Sequence, residues 1–296
     1  MTSSVPPGHR VNRRAALGVL ALVGLGGAGV VEAFRAAGDP APAPRVAPGT
    51  TRLVESYGPY DGEWWVPAGA AGRLPTVVLL HGGWWAPSYD RHLMDALAAD
   101  LSGRGSLVWN VDYAAADTPW PQTMTTAAQA YDHLTTGRYA ALVDPRRTAV
   151  VGHSAGGQLA LWLAARSRPL AGAPAYAVRP SLVVAQAPVA ALVQADRQGL
   201  GGGAVAELLD GSADREPGRY RESDPVALVP TGVRTACLHS RSDQLVPIGQ
   251  SEAYVAAATA RGDRAGLVVV PGDHFAHLDP RSEAVARLRA QLAAAP

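Results

Sequence analysis

Thr148-Ala149-Val150-Val151-Gly152-His153-Ser154-Ala155-Gly156-Gly157 runs straight into Gln158-Leu159-Ala160-Leu161-Trp162-Leu163-Ala164-Ala165. A β-branched run ends at Gly152, and an Ala/Leu-rich helical run begins after Ser154. The spacing G-x-S-x-G between them is that of a strand–turn–helix elbow, which holds the serine in a strained backbone conformation with its hydroxyl above the sheet. Glycines flank the serine because a side chain at either position would meet the neighbouring strand or the helix start. The helix also points its first N–H groups, and the positive end of its dipole, at the serine, an arrangement suited to a developing oxyanion.

Outward from the elbow, strands and helices alternate. Leu53–Tyr57 and Glu63–Val66 read as a hairpin joined through Gly58-Pro59-Tyr60-Asp61-Gly62. Thr76–Leu80, Ser106–Val111, Ser181–Gln186, Thr235–His239 and Leu267–Val270 read as further strands. Helices are predicted over Tyr89–Leu101, Gln122–Leu134, Ile248–Arg261 and Ser282–Ala294, the first with Leu93, Leu97 and Leu101 along one face. Strands that are apolar throughout and alternate with helices imply an α/β fold with a mostly parallel sheet covered on both faces. Residues 187–230 break the rhythm with Gly199–Gly203, a short predicted helix at Ala204–Leu209 and a polar stretch. They read as a small cap-like insertion over the sheet's C-terminal edge.

Three further segments carry chemistry. His81-Gly82-Gly83-Trp84 leaves a strand, and its glycines let backbone approach a substrate carbonyl. The N–H groups of Gly83 and Trp84, with that of Ala155, are the expected oxyanion donors, and His81 is expected to shape the loop by hydrogen bonding. Asp243 lies a few residues past a strand in His239-Ser240-Arg241-Ser242-Asp243, placed to accept the Nδ1–H of a histidine. That histidine is expected to be His274, just after the last strand, with His277 bonded locally or facing solvent. The order Ser154, Asp243, His274 is the one found when a G-x-S-x-G serine belongs to a triad. Trp85, Tyr89 and Trp120 are expected to line a substrate pocket with Trp84 and Tyr113, while Trp64, Trp65, Trp109 and Trp162 fall on core elements.

Taken together, H-G-G-x-W, G-H-S-A-G-G, S-D-x-x-V-P and D-H-F resemble the α/β-hydrolases of the arylformamidase (kynurenine formamidase-like) and esterase/lipase branch. The resemblance runs from about Thr50 to the C-terminus. It implies a single catalytic domain in which Ser154, Asp243 and His274 cleave a small or medium ester or aryl formamide through an acyl-enzyme, without a cofactor. A prolyl-oligopeptidase-like peptidase, an acyltransferase and a non-catalytic binding module are the alternatives on the same fold. Asp273, His274, His277 and Asp279 are close in sequence, but without a second His/Cys cluster no metal is expected.

The bulk properties agree. The 296 residues are 48% apolar, enough for a large core, and the formal charge is +1 with arginine as every fixed cation. Residues 1–43 hold four of those arginines against two acids, so no basic stripe remains elsewhere for nucleic acid. The single cysteine, Cys237, precludes an internal disulfide and sits in an apolar run. Arg10, Arg13 and Arg14 precede an uncharged stretch at 15–31, and residues 1–37 resemble a twin-arginine export signal. The competing reading is a membrane tether, although 17 residues of helix span only about 26 Å. Residues 38–49 have linker composition, and 50–296 are expected to fold as the catalytic domain. An exported or membrane-anchored location follows from either reading of the leader.

Overall fold

The computed structural model describes residues 46–295. The leader, whether export signal or tether, and most of the linker therefore lie outside the described residues. Among the described residues no helix is long and apolar enough to cross a membrane.

The first strands, β1 (Thr51–Tyr57) and β2 (Tyr60–Val66), pair antiparallel with Tyr57 opposite Tyr60. Gly58 and Pro59 alone connect them, so the hairpin is tighter than the five-residue connection expected from sequence. Gly58 takes φ +65° and Pro59 is held at negative φ by its ring, a pairing that suits a two-residue turn. The remaining strands are β3 (Leu74–Leu80), β4 (Leu107–Val111), β5 (Val143–His153), β6 (Leu182–Gln186), β7 (Arg234–His239) and β8 (Ala265–Val269). They form one eight-stranded sheet in the order β1-β2-β4-β3-β5-β6-β7-β8, parallel from β4 onward.

Helices cover both faces: α1 (Asp95–Ser102), α2 (Gln122–Asp132), α3 (Ala155–Ala164), the short α4 (Leu192–Arg197), α5 (Ala204–Leu208), α6 (Pro217–Ser223) and α7 (Pro225–Leu228), then α8 (Gly249–Ala260) and α9 (Glu283–Ala293). Alternation along the strands sorts side chains into two cores. Val78, Leu80, Val150 and Val183 pack with Met124, Tyr131, Leu159 and Trp162 of α2 and α3. Val77, Leu79, Val151 and Val184 pack with Leu97 and Leu101 of α1 and with Val285 and Leu288 of α9. Each such side chain contributes on the order of 1.5–3 kcal/mol when fully buried. Trp64 and Trp65 divide between the two cores, and Trp64 stacks on Trp109 with centroids 4.4 Å apart. Cys237 is buried, which raises its thiol to about 12.

The predicted helix over Tyr89–Leu101 is divided. A 3-10 turn, Arg91–Met94, precedes α1, because the Asp90 carboxylate caps it by accepting from the His92 amide at 2.9 Å. β5 reaches back to Val143, which pairs with Leu74 across an irregularity in the register. Between β6 and β7 the single helix expected at Ala204–Leu209 is accompanied by α4, a Gly-rich turn at Leu200–Gly203, α6 and α7. Asp224 ties this region together, accepting from Val226 N at 3.0 Å and from Val193 N at 3.1 Å.

Candidate active site

β5 ends at His153 and α3 starts at Ala155, leaving Ser154 in the turn at φ 56°, ψ −118°. A non-glycine residue at such angles costs of order 1–3 kcal/mol and persists only where its surroundings impose it. They do so here. Ser154 N donates to Gln186 O at 2.8 Å, and Gly157 N donates to Ser154 O at 2.9 Å. A side chain on Gly152 would overlap the Gly156 carbonyl, and one on Gly156 would overlap the carbonyls of Leu80 and His81. The tight elbow therefore depends on both glycines. Ser154 is fully buried, and its Oγ makes no hydrogen bond among the described residues.

β3 lies between β4 and β5, so the chain's direction of travel across the sheet reverses there, and Leu80 is level with Gly152. Open α/β sheets bind ligands at such a reversal, beyond the carboxyl ends of the strands. The segment leaving β3 passes over the serine: a methyl on Gly82 would stand 3.0 Å from Ser154 Cβ. Gly83 takes φ +112°, followed by Trp84 and Trp85 at +55° and +57°. Ala155, as the first helical residue, has no carbonyl four positions back to receive its N–H. His81 behaves as its sequence context implies. Its Nδ1 lies 2.8 Å from Gly82 O, its ring stacks on Tyr113 at 4.2 Å, and the Tyr113 hydroxyl donates to His81 O at 2.7 Å.

Asp243 follows β7. Its Oδ1 accepts from the amides of Leu245 and Val246, both at 2.9 Å. Its Oδ2 faces Nδ1 of His274 at 2.7 Å. Burial works against ionisation of this carboxyl, but hydrogen bonds from His239, His274 and the Val246 amide outweigh it, so the group stays well below the usual carboxylate range. A short 3-10 turn, His274–Leu278, carries the histidine. Asp273 caps that turn by accepting from Phe275 N and Ala276 N, each at 3.0 Å. Asp273 thus has a structural task. Among the described residues no group of His, Cys, Asp and Glu is arranged to hold a metal ion.

His277 departs from the expectation of a local hydrogen bonder or a solvent-facing side chain. It is fully buried, both ring nitrogens are without hydrogen-bond partners among the described residues, and burial lowers it to about 3. Two functional-looking histidines went unassigned in the sequence. His239 accepts from the Ser251 hydroxyl (2.7 Å) and donates Nε2–H to Val246 O (2.9 Å), with Asp243 Oδ2 3.5 Å away. His153 donates Nε2–H to His274 O at 2.9 Å. A signal for both was present: β3, β5 and β7 each run into a histidine at their C-terminal ends, His81, His153 and His239.

The expected pocket aromatics divide by position. Trp85, 1% exposed, packs within the core and accepts from Ala116 N through its carbonyl, so it supports the loop from behind rather than rimming the site. Tyr113 is likewise buried against His81. Tyr89 is half-buried with its ring against the Gly83 backbone. Trp84 is buried and packs on Gly201 of the insertion. Trp120 is half-buried and joins α2 to the insertion, through its amide to Asp210 (3.0 Å) and its indole to Ser223 Oγ (3.1 Å).

Sheet order, two-sided helical cover and the serine elbow define an α/β-hydrolase fold. The model of the BD-FAE family matches residues 63–257, and the chain belongs to that family. No curated protein matches it in sequence. Solved structures with this fold include esterase B from Lactobacillus rhamnosis (18% identity, TM-score 0.73, 90% of each chain covered). A truncated carbohydrate esterase from gut microbiota is 14% identical with TM-score 0.71, over 84% of this chain and 98% of the other. Esterase 2 of Thermogutta terrifontis, phosphonylated by sarin, is 21% identical with TM-score 0.66, over 83% and 93%.

Proposed function

We propose that the protein is a serine hydrolase of small to medium carboxylic esters. The observation that carries the reading is the pair His274 Nδ1–Asp243 Oδ2 at 2.7 Å, with the His274 carbonyl bonded to His153, the residue before a serine held at positive φ in an elbow. An ionised Asp243 keeps the proton of neutral His274 on Nδ1 and leaves Nε2 as the base. His274 takes the Ser154 proton as Oγ attacks the carbonyl, and the N–H groups of Gly83, Trp84 and Ala155 receive the oxyanion. His274 then protonates the leaving alcohol. Water, deprotonated by the same ring, releases the acid and restores the serine.

The named esterases among the solved structures support ester chemistry, and the short helices between β6 and β7 favour a compact acyl group. The leader supports export or tethering. The test is hydrolysis of p-nitrophenyl acetate and butyrate, an acetylated xyloside and N-formylkynurenine by the full chain, with Ser154→Ala as control. Ester turnover that vanishes in Ser154→Ala is the expected result. Turnover of the formamide alone would move the assignment to an arylformamidase, and turnover of none by folded protein would overturn it.

A further inference from the structure

His153 occupies an unspecified position of the G-x-S-x-G spacing, yet its ring sits where three segments of the site meet. Its Nε2 lies 2.9 Å from the carbonyl oxygen of His274. A carbonyl only accepts, so the proton resides on Nε2 and Nδ1 is bare. On the Nδ1 side the ring meets the loop leaving β3: a methyl on Gly82 would stand 2.8 Å from Nδ1 and 3.1 Å from His153 O. The ring is fully buried, 4.6 Å from the His274 ring and inclined to it by 49°. It touches the Gly82 loop on one side and the His274 turn on the other, while its own backbone carries Ser154.

We propose that His153 is a positioning residue that sets the separation of Ser154, His274 and the Gly82–Trp84 loop through its Nε2–H bond to the His274 carbonyl. The inference rests on the triad reading above. A histidine suits the position on two counts. Its planar ring fills the gap between two backbones with little conformational freedom, and it places a donor at the far end. Burial also holds it neutral, so it adds no like charge when His274 becomes a cation. A side chain of similar size without the donor fills the volume but releases the His274 turn. A misplacement of about 1 Å between reacting groups costs on the order of 10²-fold in rate.

The experiment compares His153→Phe, which keeps bulk and loses the donor, with His153→Gln, whose amide N–H can reach the same carbonyl. On p-nitrophenyl acetate, His153→Phe is expected to lower kcat roughly 100-fold with KM within about threefold, and His153→Gln to recover at least about tenfold of that loss. Melting temperatures of the two variants identify a difference in folding, and His153→Met replaces the Phe variant if the latter does not fold. An apolar variant that folds and keeps kcat within threefold of the parent overturns the proposal, as does a Gln variant no faster than the apolar one. Ser154→Ala is measured alongside. If it retains turnover, the triad reading itself fails. If it abolishes turnover while the apolar variant stays fast, only the role of His153 is refuted.

Discussion

Replacing Gly83 by alanine tests the backbone geometry of the loop over the serine. At this position φ is +112°, and an added Cβ would stand 2.5 Å from the Tyr89 ring. Cβ atoms essentially never approach within 3.0 Å, so loop or ring must yield by about 0.5 Å even to reach that limit. The unfavourable φ adds of order 1–3 kcal/mol. Rotating the peptide planes around residue 83 relieves both costs at once, and doing so turns the proposed donor N–H groups of Gly83 and Trp84 away from the carbonyl. Loss of one such donor lowers kcat about 10²–10³-fold. The expected outcome on p-nitrophenyl acetate is a kcat reduced by that factor, KM within about threefold, and a melting temperature lower by roughly 2–12 °C. Gly69→Ala is the control: φ is +67° with nothing within 4 Å of the added carbon, so it should lose about 1 kcal/mol of stability and keep full kcat. A Gly83→Ala enzyme with kcat within threefold of the parent would refute the assignment of this loop.

Other expectations concern charge. Asp243→Asn keeps an oxygen for the Leu245 and Val246 amides but no longer fixes the His274 tautomer, so kcat should fall on the order of 10³–10⁴-fold with little change in melting temperature. His277, lowered to about 3 when folded, and His153, lowered in the same direction, take up protons near pH 6.5 only when the chain unfolds. The unfolded state therefore binds more protons on acidification below about pH 6.5, down to about 3 for His277, where stability should fall by about 1.4 kcal/mol per pH unit, and His153 adds to the fall in the same direction. Urea midpoints at pH 7.5 and 5.5 check this, and an unchanged midpoint contradicts it. Arg166, fully buried, donates to Asp132 at 2.7 Å and to Pro174 O at 2.8 Å. Arg166→Met should cost about 2–3 kcal/mol, less than for a wholly buried pair because Asp132 keeps contact with water, and should leave kcat unaltered.

The elbow, the parallel strands and the Asp243–His274 pair were legible because each is written in local spacing: β-branched runs, glycines at fixed offsets, an acid or histidine just beyond a strand. The pairing of Asp243 with His274 follows from the neighbouring positions of β7 and β8 in the sheet. What escaped was set by tertiary packing. Trp85 is a loop residue in sequence, but its left-handed backbone turns the indole into the core. His277 looks polar and exposed until the 3-10 turn buries it beside His153 and His274. The helices of the insertion are too short to show a period of 3.6; Asp224, which ties them together, and Trp120, which binds them to the domain, are distant in sequence from their partners.

The most direct test of the serine mechanism is covalent labelling with a fluorophosphonate, followed by intact-mass measurement and peptide mapping. The account predicts one phosphonyl group per chain, on Ser154, absent in Ser154→Ala and formed far more slowly in His274→Ala. A label on another residue, or undiminished ester turnover by Ser154→Ala, would contradict it.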